Sequence, residues 1–232
     1  MRSLLFLLLV LGCTPKQTQE LNLVVAASVG PAANALAQKL EAKGIKLRVH
    51  AGASSLIARQ ITSGLPCDAV ILADDDWMDE LAHKNAIEKA SRRPYLGNDL
   101  VWVTKKGSKS QVDRKIGLGD PEHVPVGKYA KAALIALGKW EEVAAKVVPA
   151  PDVRTALLWA ERGEVDSAIV YASDAQSSKL VEIRSRLKSE KAIVYPVAAC
   201  RSSNGARLSA LLDESLARET FREFGFQVHE RT

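Results

Sequence analysis

Two rhythms of apolar residues alternate along this chain. Short runs rich in Val, Leu, Ile and Ala, suited to strands buried on both faces, occur at Leu21–Ala27, Leu47–Ala51, Ala69–Ala73, Leu100–Thr104, Ile116–Leu118, Ala168–Tyr171 and Ile193–Ala199. Between them, apolar residues recur at helical spacing over Pro31–Lys43, Ser55–Ser63, Asp76–Lys84, Val126–Leu137, Trp140–Val147, Val153–Arg162 and Arg207–Phe224. This alternation predicts an α/β fold with mainly parallel sheets. Such sheets bind ligands outside the carboxyl ends of their strands, where loops lead into helix N-termini.

The turns at those ends share a chemistry. In "LNLVVAASVGPAANALAQKL", Ser28 sits where a strand hands over to a helix, with Pro31 in the first turn and Gly44 as the stop. Backbone N–H groups there have no intrahelical partner, so Ser28 either caps the helix or helps to bind an anion. "HAGASSLIARQ" sets Ser54 and Ser55 between strand and helix, and "GDPEHVPVGKYAKAAL" opens a helix with Pro125 and Gly127. "PAPDVRTALLWAERG" offers Asp152 as an N-cap with the Val153 amide in the first turn, and Tyr171 ends the strand "SAIVY". If these termini converge, they surround a small cavity with N–H and O–H donors, a setting in which dipoles hold an anion.

Composition changes little in this picture. The 232 residues are 47% hydrophobic and 25% charged, which fits one large or two small globular domains. The formal charge of +5 is dispersed among acidic residues, with no basic block interleaved with aromatics, so no nucleic-acid partner is expected. The acidic triplet Asp74, Asp75 and Asp76 reads as an N-cap and first-turn acids rather than a metal site, since no His or Cys has metal-like spacing to it.

The N-terminus carries an address. "MRSLLFLLLVLGC" has an apolar stretch from Leu4 to Leu11, too short to span a bilayer and suited to a signal-peptide core. Its ending resembles a bacterial lipobox, which implies a lipoprotein signal peptide over residues 1–12, lipidation of Cys13 and a polar tether over residues 13–20. A plain signal peptide cut elsewhere is the alternative; either predicts export to the periplasm or cell surface. Cys67 opens one apolar run and Cys200 ends another, so a disulfide and two buried free thiols both remain open.

The stretches "AASVGPA", "SSLIARQITSGLPCDAVILADDDWMDEL", "RPYLGNDLVWV", "GDPEHVPVGKYAKAAL", "APDVRTALLWAERGEVDSAIVYASDA" and "YPVA" together resemble the molybdate-binding proteins of ABC importers over residues 21–226. The resemblance implies a type II periplasmic-binding-protein fold, with two α/β lobes joined by two crossover strands and the ligand in the cleft. Lobe I would comprise residues 21–96 plus 197–232 and lobe II residues 97–196. It also implies an oxyanion site: hydroxyls from Ser28, Ser54 and Tyr171, and backbone N–H groups from Val126 and Val153, with Ser55 as an alternative to Ser54. The implied ligand is molybdate or tungstate, with no cofactor and no protein ligand to a free metal ion. The implied partners are an ABC permease and its ATPase, the receptor acting as a monomer. Ala53 and Leu56 interrupt the family's run of hydroxyl residues, Gly30-Pro31 replaces its commoner opening, and Val126 stands where a smaller residue is frequent.

Two other readings remain: a receptor for another tetrahedral oxyanion such as sulfate, and a serine-dependent hydrolase. Against the hydrolase, the chain lacks a G-x-S-x-G elbow, a P-loop, a G-x-G-x-x-G run and an H-E-x-x-H motif.

Overall fold

The computed structural model describes residues 20–108 and 113–230. The expected signal peptide, Cys13 and the expected tether up to residue 19 lie outside the described residues.

Eleven strands and nine α-helices are present among the described residues. In chain order they are β1 (Leu21–Ala26), α1 (Gly30–Glu41), β2 (Leu47–Gly52), α2 (Ser54–Thr62), β3 (Ala69–Ile71), α3 (Asp75–His83), β4 (Arg93–Asn98) and β5 (Leu100–Lys105). There follow β6 (Ile116–Gly119), α4 (Pro125–Ala136), α5 (Trp140–Ala144), β7 (Val147–Ala150), α6 (Val153–Arg162), β8 (Ser167–Tyr171) and α7 (Ala172–Gln176). The chain ends with β9 (Val181–Leu187), β10 (Ile193–Ala199), α8 (Gly205–Asp213), α9 (Ser215–Glu223) and β11 (Gln227–Val228).

The strands form two sheets, ordered β11-β4-β10-β3-β1-β2 and β7-β6-β8-β5-β9. Both are mixed, which corrects the expectation of mainly parallel sheets. β1 runs parallel to β2 and β3, and β6 runs parallel to β7 and β8. The remaining pairs are antiparallel, because β4, β5, β9, β10 and β11 carry the chain between or back onto the sheets rather than through βαβ units. The chain leaves the first sheet after Asn98, enters the second at Leu100, and returns between Leu187 and Ile193.

Alternation within β1 explains its unbroken apolar run. Leu21, Leu23 and Val25 face a core shared with α1, α8 and α9, while Val24 faces a second cluster with Ile57 and Ile61 of α2 and Met78 and Leu81 of α3.

Two predicted helices end differently. The Trp140–Val147 helix stops at Ala144, and Val147 instead starts β7, where pairing with β6 outweighs the helical pattern. The Arg207–Phe224 helix is two helices, broken at Glu214 by an extended backbone. Short β11 and β9, the latter exposed along most of its length, lacked the apolar run that marks a strand.

Antiparallel pairing of β3 with β10 sets Ala69 opposite Ala199 and brings Cys67 and Cys200 together in a disulfide, with 5.8 Å between their Cα atoms. The bridge closes a loop of 133 residues in sequence. In the chain-entropy account such a loop contributes about 5 kcal/mol by restricting the unfolded chain. Replacing both cysteines by serine should therefore lower the unfolding free energy by several kcal/mol in urea titrations. Reductant should have no further effect on the variant.

Candidate functional site

The carboxyl ends of six parallel strands, three from each sheet, meet around one cavity. Ala26, Ala27 and Ser28 follow β1, Ala53 and Ser54 follow β2, and Ala73 follows β3. From the other sheet, Val124, Pro125 and Val126 follow β6, Asp152 and Val153 follow β7, and Tyr171 ends β8. The four alanines let the backbone approach closely. All five residues expected at the site (Ser28, Ser54, Val126, Val153 and Tyr171) line this cavity, and Ser55 does not. The centre of a water-sized sphere can occupy about 20 Å³ of it, which corresponds to a cavity of roughly 3 Å radius once the radius of water is added. One central atom with four oxygens is of that size.

The donors are built in from the backbone. Val153 and Arg154 open α6, and Val126 and Gly127 lie in the first turn of α4, where N–H groups have no intrahelical acceptor. Asp152 caps α6, its Oδ1 accepting from the Thr155 N–H at 2.8 Å, as the sequence suggested. A Cβ on Gly127 would lie 2.0 Å from the Gly119 carbonyl oxygen, so only glycine lets α4 dock this closely on β6. The Val126 side chain packs over Gly119, whose missing side chain makes room for the branched residue.

The two serines depart from the capping role. Ser28 lies in a 3-10 turn, Ala27–Val29, and makes no side-chain cap; α1 starts after Val29. Its Oγ is instead 3.1 Å from the hydroxyl of Tyr195, 167 positions away on β10. Ser54 is the first residue of α2 rather than the residue before it, and its Oγ accepts from the Ala73 N–H at 3.1 Å. That inner donor occupies a Ser54 lone pair and leaves its proton for the cavity.

Tyr171 is 1% exposed, with the Tyr195 ring edge-on beside it, and its hydroxyl makes no geometrically acceptable hydrogen bond among the described residues. Burial holds the phenol well above its ordinary range, so it stays protonated and can donate. Behind it, Asp174 is buried beside Arg154 at 3.3 Å, and desolvation raises this carboxyl to about 7. Among the described residues, no Lys or Arg lines the cavity.

Contacts between the halves flank the opening. Lys128 of α4 pairs with Asp74 at 3.2 Å and with Asp76, and the Trp77 indole N–H donates to the His123 carbonyl at 3.3 Å. Asp74 caps α3 by accepting from the Trp77 N–H, the role read for the acidic triplet. No metal-like cluster of His, Cys, Asp or Glu occurs among the described residues. Sequence reasoning missed Tyr195 and the Ala73 amide, which partner Ser28 and Ser54, and Asn98, which partners Tyr195; this long-range pairing leaves no local signature.

Two mixed α/β sheets facing one cleft, with the chain passing twice between them, define a two-lobed binding protein of the type II periplasmic class. The chain belongs to the bacterial extracellular solute-binding protein family, whose profile matches residues 21–227. It is 38% identical to the molybdate-binding protein ModA of Escherichia coli over 90% of this chain and 89% of that one. It is 31% identical to YvgL of Bacillus subtilis, named as an ABC transporter substrate-binding lipoprotein, over 94% and 93% of the two chains. The fold also superposes on a periplasmic molybdate-binding protein from Azotobacter vinelandii with a TM-score of 0.79 at 21% identity, covering 90% and 100% of the two chains.

The unpartnered Tyr171 hydroxyl makes a direct test of what the cavity is for. A buried donor without an acceptor costs about 1–3 kcal/mol. Tyr171→Phe should therefore raise the unfolding free energy of the unliganded protein by about 1 kcal/mol, measured by chemical denaturation. A loss of similar size would mean that the hydroxyl has a partner inside the protein.

Proposed function

We propose that this protein is a solute receptor, not an enzyme, that captures molybdate, and tungstate with it, and delivers it to an ABC permease and its ATPase. The observation that carries this reading is the convergence of neutral donors from five strand ends on a cavity of tetrahedral-oxyanion size with no cation in its wall among the described residues. Relatives named as molybdate-binding proteins support the choice of ligand. Ser28, Ser54 and Tyr171 would donate hydroxyl protons, and Val126 and Val153 backbone N–H groups.

Neutral donors held by the fold, with helix dipoles behind them, stabilise a dianion without burying an unpaired Arg or Lys. Each charge-assisted bond contributes about 1.5–3 kcal/mol. Five or more, less the costs of ordering and desolvation, support affinity near nanomolar, about −12 kcal/mol. Molybdate and tungstate exceed sulfate in size, and cavity fit would favour the larger ions.

In this reading residues 21–96 plus 197–232 form lobe I, residues 97–196 form lobe II, and ligand contacts from both stabilise the closed arrangement. Cleavage after residue 12 would leave Cys13 as a lipid anchor, with residues 13–20 as the tether of a monomeric receptor outside the cytoplasm. The lipoprotein relative supports the anchor.

Calorimetric titration of the chain lacking residues 1–13 should give tight one-to-one binding of molybdate and tungstate, with sulfate and phosphate weak. Ser28→Ala and Tyr171→Phe should each weaken molybdate binding by about 1–3 kcal/mol. Sulfate binding alone would change the cargo, and unchanged affinity in both variants would move the site elsewhere.

A further inference from the structure

The Ser28 hydroxyl belongs to a hydrogen-bond chain whose direction can be read from its far end. Asn98, on β4 where the chain leaves the first sheet, accepts through Oδ1 from the backbone N–H of Asp99 at 3.0 Å and of Ser173 at 3.4 Å. Backbone N–H groups can only donate, so these two contacts fix which amide atom is oxygen. Asn98 Nδ2 must then donate, to Ser173 Oγ at 2.8 Å and to the Tyr195 hydroxyl oxygen at 3.4 Å.

Tyr195 is fully buried, and its ring is held edge-on by Tyr171 and Phe226, with centroids 5.6 Å away in each case. Burial keeps its phenol protonated. Its oxygen receives from Asn98 at 3.4 Å, which leaves its single proton free for Ser28 Oγ, 3.1 Å away. Ser28 then spends a lone pair on Tyr195, and its own proton is left to point into the cavity it lines. Ser54 is committed in the same sense by the Ala73 amide, but an amide cannot reverse. The hydroxyl–hydroxyl pair could reverse, and the bond from Asn98 biases it toward Tyr195 as the donor.

We propose that Tyr195, oriented by Asn98, is a positioning residue that makes Ser28 a donor-only group, and thereby sets discrimination between fully deprotonated oxyanions and protonated ones such as hydrogen phosphate. This rests on the oxyanion-receptor reading above. A fully deprotonated ion accepts from every donor. Hydrogen phosphate brings a proton that needs an acceptor, and Ser28 can accept it only by breaking its bond from Tyr195. Phe at position 195 removes that bond, so Ser28 can rotate and accept. Asp152, the carboxylate in the cavity wall, is the same in every variant and leaves the comparison unaffected.

The test is a double-mutant cycle by calorimetry on the protein, Tyr195→Phe, Ser28→Ala and the double variant, with molybdate and with phosphate at mildly alkaline pH. Tyr195→Phe should weaken molybdate binding about tenfold, as expected for one hydrogen bond, while phosphate binding holds or strengthens. The molybdate-to-phosphate preference should thus fall tenfold or more. In the Ser28→Ala background the same change should alter neither ligand's affinity. Asn98→Asp tests the chain from its other end: the carboxylate takes the Tyr195 proton, turns Ser28 into an acceptor and should cost molybdate more than Tyr195→Phe does. An unchanged preference in Tyr195→Phe, or an equal loss with and without Ser28, would overturn the proposal and assign Tyr195 to packing alone. Failure of the unmutated protein to bind molybdate would instead overturn the receptor reading.

Discussion

Amides in the first turn of a helix have no acceptor within that helix, and this protein aims several such turns at one space. The rest of the structure serves that aim. The parallel strands β1, β2, β6 and β7 end level with the cavity and deliver the starts of the helical segments that follow. Small residues at Ala26, Ala27, Ala53 and Ala73 keep the wall thin, and Gly119 and Gly127 allow β6 and α4 to meet at a distance no Cβ would tolerate. Donors built from backbone do not depend on the side chain beside them. Val126 can therefore replace a smaller residue provided that its bulk finds room over Gly119.

The hydroxyl donors need more support than the amides, because a hydroxyl can rotate and can also accept. Each serine has a hydrogen-bond partner behind it, the donating Ala73 N–H for Ser54 and the Tyr195 hydroxyl for Ser28. These contacts tie the cavity to β3 and β10 of the first sheet. Asn98 and Ser173 extend the Ser28 chain to the point where the chain crosses between sheets, so the passage from one sheet to the other and the cavity share one buried polar network. Further contacts join the halves between Lys128 and the buried Asp74 and between the Trp77 indole and the His123 carbonyl.

Much of this was legible in the sequence because it is local. Strand runs followed by Ser, Pro or Asp identify the strand-to-helix turns that build the wall, and all five anticipated residues line the cavity. The Asp152 and Asp74 caps were readable for the same reason. What failed was non-local. Periodicity could not show that Val147 pairs with Ile116, nor that Glu214 breaks an otherwise continuous helical pattern. Ser28 was read as a cap or an anion ligand; the cap is not made, and its partner inside the protein, Tyr195, lies 167 residues downstream. The disulfide was likewise undecided until the β3–β10 register set Ala69 against Ala199.

The central claim is that a dianion is held here by neutral, pre-aimed donors with no cation. A crystal structure of the protein grown with molybdate tests it most directly, since the heavy central atom marks its own position. The account predicts the ion in the cavity between the six strand ends, its oxygens within hydrogen-bond distance of the Ser28, Ser54 and Tyr171 hydroxyls and the Val126 and Val153 amides. An ion bound elsewhere, or one contacted by a lysine, an arginine or a metal drawn into the cavity, would contradict it.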